Sequence, residues 1–127
     1  MHLVVVGLSH KTAPIEIREK LTFPASAQAE ALSQLTRGDQ IAEAVILSTC
    51  NRTELYAVAA SEDGGVDAIL DFLADYHGLD RHHLVRYLYI VTGEPVVRHL
   101  FRVVASLDSM VVGEAQILGQ VKEAYEH

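Results

Sequence analysis

The chain has 127 residues, half of them apolar, and carries ten Lys and Arg against seventeen Asp and Glu, for a formal net charge of −7. That balance argues against broad electrostatic adhesion to nucleic acid, which needs clustered cations. One cysteine excludes an internal disulfide, and no apolar run approaches the roughly 18 residues that cross a membrane.

A chain of this length can bury one core without disulfides or metal, so a single domain is expected. The N-terminus MHLVVVGLSH has a short apolar run with neither a basic leader nor a small-residue cleavage site, which predicts a cytosolic protein. A local basic footprint remains open, with Lys11, Arg18 and Lys20 near the start and Arg81, Arg86, Arg98 and Arg102 later; solvated surface charge is the plainer reading of most of them.

His2 to Leu8 is a β-branched run ended by Gly7 and then by Ser9 to Pro14, which predicts a buried strand entering a loop. Pro24 and Gly38 bracket an alanine-rich helix over Ala25 to Arg37, with Ala31, Leu32 and Leu35 on one face. Glu43 to Thr49 and Thr53 to Ala60 read as two strands joined by a tight antiparallel connection. A second helix follows over Val66 to His77, stopped by Gly78, and a fourth strand over Tyr87 to Thr92 is ended by Gly93.

The order β-α-β-β-α-β predicts an α+β fold of the ferredoxin-like, split βαβ kind, a four-stranded antiparallel sheet with two helices on one face. Two further helices, Pro95 to Leu107 and Glu114 to Glu126, are available to cover the other face, joined by the irregular link Asp108 to Gly113. The last of them reaches Tyr125, Glu126 and His127 without a capping glycine, asparagine or proline, so the sequence reads as one cut inside an element of a larger protein.

Cys50 lies at the corner between the second and third of the predicted strands, among Ser48, Thr49, Asn51 and Arg52, rather than in an apolar run. A thiol attacks only as thiolate, and a neighbouring cation favours that form. If residues 50 to 52 are extended, Cys50 and Arg52 point the same way, and Arg52 could support the thiolate or hold an anionic substrate with its two-donor fork. The plainer alternative is a half-buried cysteine at a strand end with Arg52 solvated.

His99 borders the apolar set Val96, Leu100, Val103 and Leu107, which suits either a packed histidine or a general acid or base. Gln116 and Gln120 lie one turn apart after Ser109 and Glu114, where they could bind a small polar ligand or be ordinary surface residues. His77, His82 and His83 have no zinc-site spacing, so no metal centre is expected. The glycines never form GxGxxG after a strand, so no dinucleotide site is visible, and TELYAVAA lacks the aromatics of an RNA-recognition module.

Five blocks go further: GLSHKTAP (7 to 14), IREKL (17 to 21), STCNRTE (48 to 54), RHLFRV (98 to 103) and SLDSMVVGEAQILGQVK (106 to 122). In their order and spacing the chain resembles the N-terminal catalytic domain of the glutamyl-tRNA reductase family across nearly its whole length, 1 to 127. The resemblance implies that the cysteine of the TCNR block, Cys50, attacks the aminoacyl ester of glutamyl-tRNA and holds glutamate as a thioester. NADPH, bound by a domain absent from this chain, then reduces it to glutamate-1-semialdehyde for tetrapyrrole synthesis.

It also implies His99 as important for activity, and Thr49, Asn51, Arg52, Ser109, Glu114, Ala115, Gln116 and Gln120 as glutamate-contacting positions. Its implied partners are glutamyl-tRNA, a second copy through domains absent here, and the downstream glutamate-1-semialdehyde aminomutase. Two other readings stay open on the residues: a noncatalytic ferredoxin-like module binding an amino acid, and a cysteine hydrolase or acyltransferase using Cys50 and His99 without a nicotinamide cofactor.

Overall fold

A computed structural model describes residues 1–108. In chain order the elements are β1 His2–Ser9, α1 Ile15–Lys20, α2 Ala25–Leu35, β2 Ile41–Ser48, β3 Arg52–Ala59, α3 Glu62–His77, α4 Arg81–Leu84, a 3-10 turn Val85–Tyr87, β4 Tyr89–Thr92 and α5 Pro95–Asp108. The strands form one four-stranded sheet in the order β2-β3-β1-β4, with every adjacent pair antiparallel. This is the α+β architecture that the sequence predicts. The expected helix over Glu114 to Glu126 lies outside the described residues.

Strand alternation divides the core in two. Val4, Val6 and Leu8 of β1, with Leu55, Ala57 and Ala59 of β3, face the helices, where Ala31 and Leu35 of α2 and Ile69, Leu70 and Leu73 of α3 close over them. Val5 and Tyr56 face the other way and meet Val96 of α5, flanked by Val45, Val91 and Leu100. The helix opened by Pro95 thus covers the second face, as expected from the need to bury it.

Three differences from the sequence reading have local causes. First, α3 begins four residues before the expected Val66. The Ser61 side chain accepts from the Gly64 backbone N–H at 3.0 Å, Glu62 and Asp63 suit the positive helix start, and these outweigh the low helix propensity of Gly64 and Gly65. Gly65 is needed for its closeness to β3, because a Cβ there would collide with the Ala59 Cβ.

Second, β4 is shorter than Tyr87 to Thr92, because Val85–Tyr87 closes the turn that follows α4. Third, α1 forms after Pro14 without burying any residue, so it leaves no apolar periodicity to read. Among the described residues no helix is long and apolar enough to cross a membrane.

Candidate active site

The connection between β2 and β3 is a three-residue corner, Thr49 to Asn51, built on local polar contacts. The Thr49 hydroxyl accepts from the backbone N–H groups of Asn51 and Arg52, each at 3.2 Å, and the Thr49 N–H donates to the Arg52 carbonyl at 2.8 Å. Threonine suits such a turn because its short side chain substitutes for a backbone acceptor. The Asn51 carbonyl also accepts from the His10 N–H at 2.8 Å, tying the corner to the loop after β1. Below it, Ser48 and Thr53 face each other in register, their hydroxyls 3.3 Å apart, and the Ser48 hydroxyl accepts from the Phe23 N–H.

Cys50 stands at the tip of this corner, exposed and with a free thiol. Arg52 starts β3 with a side chain only 11% exposed. Both halves of the plainer alternative are therefore reversed: the cysteine is presented and the arginine is enclosed. Because residues 49 to 51 turn, strand alternation governs the side chains only from Arg52 onward.

From there it places Arg52, Glu54 and Tyr56 on the face that α5 covers. Glu54 is fully buried. Its Oε1 accepts from the Tyr56 hydroxyl at 2.8 Å and its Oε2 from the Tyr89 hydroxyl at 2.6 Å. The same Oε2 meets Nε2 of His99, and Arg52 Nη1 lies 3.6 Å from it. A buried carboxylate is tolerated when cations and donors surround it, and here four side chains from three elements do so.

Burial, reinforced by the Glu54 charge, pushes both tyrosine hydroxyls well above their ordinary range, so they remain protonated donors. The space for this cluster comes from Gly7, the cross-strand partner of Glu54. A Cβ on Gly7 would stand 2.8 Å from Glu54 Cγ and 2.8 Å from the Thr53 carbonyl oxygen.

Of the residues expected to act, Thr49, Cys50, Asn51 and Arg52 are brought together at one end of β3, and His99 joins Arg52 through Glu54. Ser109, Glu114, Ala115, Gln116 and Gln120 lie outside the described residues. The sequence reading missed Glu54, Tyr56 and Tyr89 as members of the cluster. Their signal was the polar alternation Arg52, Glu54, Tyr56 in a strand whose intervening positions are Thr53, Leu55 and Ala57. Among the described residues no group of His, Cys, Asp and Glu could hold a metal ion.

Comparison with known proteins puts this cluster in context. Residues 6–127 match the family model described as "Glutamyl-tRNAGlu reductase, N-terminal domain". The chain is 57% identical over 125 residues to a glutamyl-tRNA reductase of Geobacter sulfurreducens, covering 98% of this chain and 29% of that protein. With a glutamyl-tRNA reductase of Neisseria gonorrhoeae it shares 55% over 124 residues, at the same two coverages. Among solved structures, the glutamyl-tRNA reductase of Methanopyrus kandleri superposes with a TM-score of 0.70 at 36% identity, over 98% of this chain and 27% of that one. The chain thus spans less than a third of the length of these relatives.

Proposed function

Because the chain belongs to the glutamyl-tRNA reductase family, as its N-terminal domain, we propose that it carries out the acyl-transfer half of that enzyme's reaction. The Cys50 thiolate attacks the carbonyl carbon of the ester linking glutamate to tRNA. A carbon–sulfur bond forms, the bond to the ribose oxygen breaks, and that oxygen leaves with a proton. Glutamate remains as a thioester, more electrophilic than a carboxylate, so one difficult reduction is divided into two steps. The observation that carries this reading is the pairing of an exposed free thiol with an enclosed arginine two residues away.

Arg52 is the natural partner of the free γ-carboxylate, since the α-carboxyl is esterified. Glu54 engages one side of its guanidinium and leaves donors for a substrate oxygen. Thr49 and Asn51 fix the corner, and Ser109, Glu114, Ala115, Gln116 and Gln120 complete the proposed glutamate contacts. His99 holds Glu54 through Nε2, which makes it a support for Arg52 and leaves Nδ1 for proton transfer to the ribose oxygen.

We also read the sheet order, with α2 and α3 inside its two crossovers, as the ferredoxin-like split βαβ arrangement with α1, α4 and α5 added. Glutamyl-tRNA reductases as a family depend on NADPH. The described residues do not fit that cofactor: β1 leads through residues 9–14 into a six-residue helix, not through a glycine-rich turn onto a long one. No hydride step is assigned to them, and a further domain of the parent enzyme is proposed to supply it. A cytosolic setting, which keeps Cys50 reduced, a second copy and the aminomutase remain proposals of the same reading.

The test is intact-mass spectrometry after brief incubation with glutamyl-tRNA and an acid quench, comparing the chain with Cys50→Ser. A glutamyl adduct present only with Cys50 and released by hydroxylamine is the expected result. Glutamate binding without an adduct, surviving loss of Cys50, would instead favour the noncatalytic module.

A further inference from the structure

The outward side of α5 combines features suited to the end of a single-stranded nucleic acid. Between Pro95 and Ser106 the sequence carries Arg98, His99 and Arg102 and no carboxylate, in a chain whose net charge is −7. His99 turns inward onto Glu54, whereas Arg98 and Arg102 are exposed, one helical turn apart. Beside them Val97 is 43% and Phe101 69% exposed, again one turn apart. Positions 97, 98, 101 and 102 make one contiguous strip of the helix, apolar along one side and cationic along the other.

Arg81, a comparable candidate by sequence, is held by Asp67 and Asp71 at 2.6 Å each, and Arg18 donates to the Ala13 carbonyl. Arg98 and Arg102 form no ion pair among the described residues. Lys11, Lys20, Arg37 and Arg86 are also without an ion pair among the described residues, and what sets Arg98 and Arg102 apart is their place one turn apart on a helix beside exposed Val97 and Phe101. The strip also has a direction. Val96 packs beside Val5 and Tyr56, and three residues later His99 reaches Glu54, the partner of Gly7. The helix therefore advances toward Ser9 and Arg52, the end of the sheet from which the Cys50 corner projects.

Resting on the acyl-transfer reading above, we infer that this strip docks the single-stranded acceptor end of glutamyl-tRNA and leads its esterified ribose to Cys50. Phe101 stacks on a base, and Arg98 and Arg102 pair with phosphates, a combination that binds single strands with little regard to sequence. An acidic chain then needs only this local contact.

The experiment measures glutamyl-tRNA affinity by fluorescence anisotropy over a salt series for the chain and for Phe101→Ala, Arg98→Gln and Arg102→Gln. Turnover of p-nitrophenyl acetate and the melting temperature are followed in parallel. Loss of one stacked base weakens binding by about tenfold in Phe101→Ala. Each arginine change lowers the slope of log affinity against log salt by about 0.7 to 0.9. On the acyl-transfer reading ester turnover needs Cys50 but no tRNA, so it should stay at the wild-type rate in all three.

Unchanged affinity and slope in the three variants would overturn the docking strip, as would the absence of measurable tRNA binding by the wild-type chain. Unchanged affinity with a shifted melting temperature would overturn it in favour of a face that packs against protein. Absence of both ester turnover and the Cys50 adduct would sink the acyl-transfer reading instead, while the affinity series would still decide the strip.

Discussion

At Gly7 the absence of a side chain is what the site requires. Neighbours in an antiparallel pair stand close enough that a methyl group on β1 would collide with the Cγ of Glu54 and with the backbone beneath it. Gly7→Ala must push β1 and β3 apart or displace Glu54, a loss of about 1 to 3 kcal/mol typical of overpacking. Urea unfolding measures it, and an unchanged midpoint would mean that the strands spread without cost. Glu54 itself is a fully buried counter-charge for Arg52 and a hydrogen-bond partner of His99. Glu54→Leu keeps the bulk but leaves those groups uncompensated, so a loss of about 3 to 5 kcal/mol is expected. Glu54→Gln should recover part of that loss by retaining an acceptor for the two tyrosines. If leucine were as stable as glutamate, the cluster would contribute nothing to folding.

At the scale of elements, α3 shows how a fold can be legible while its details are not. Its apolar set Ile69, Leu70 and Leu73 was readable from helical spacing, and Gly78 ends it in the left-handed conformation at φ 65°. Its first turn was hidden because Gly64 and Gly65 argue locally against helix, and only their tertiary surroundings explain them, the Gln40 and Ser61 side chains at Gly64 and Ala59 at Gly65. Ser61→Ala removes the capping hydroxyl and should cost about 1 kcal/mol, read from thermal unfolding. The same balance holds for the site: Cys50, Arg52 and His99 were visible as candidates, whereas the Glu54 cluster was not, because two of its members, Tyr89 and His99, lie on β4 and α5, remote in sequence. At the other end of α3, His77 sits edge-on against Phe23, and burial alone depresses its pKa. A group depressed in the folded state binds its proton more readily when unfolded. Its contribution is therefore complete above the unfolded value near 6.5 and is lost as pH falls toward the folded pKa. His77→Phe should flatten the decline in unfolding free energy between about pH 7 and pH 5. An equally steep decline in the variant would assign it to other groups.

For the molecule as a whole, the two faces of the sheet divide labour. The face under α2 and α3 holds the larger apolar cluster, while the face under α5 trades part of its apolar surface for a buried polar cluster bound to the corner that bears Cys50. Stability and chemistry can then be perturbed separately. Leu73→Ala, fully inside the larger cluster, should lower stability by about 2 to 5 kcal/mol and leave the rate of glutamyl adduct formation intact at temperatures where the chain stays folded. Cys50→Ser should do the reverse, since the thiol is exposed. The chain by itself should accumulate the glutamyl thioester, or slowly hydrolyse it, with no difference between samples with and without NADPH, because its described residues offer no phosphate-binding turn for a dinucleotide. The products decide this when free glutamate, protein-bound glutamate and glutamate-1-semialdehyde are separated after a single turnover. Catalytic aldehyde formation by these 127 residues would mean that they hold the nicotinamide themselves, and the division of the reaction between domains would have to be abandoned.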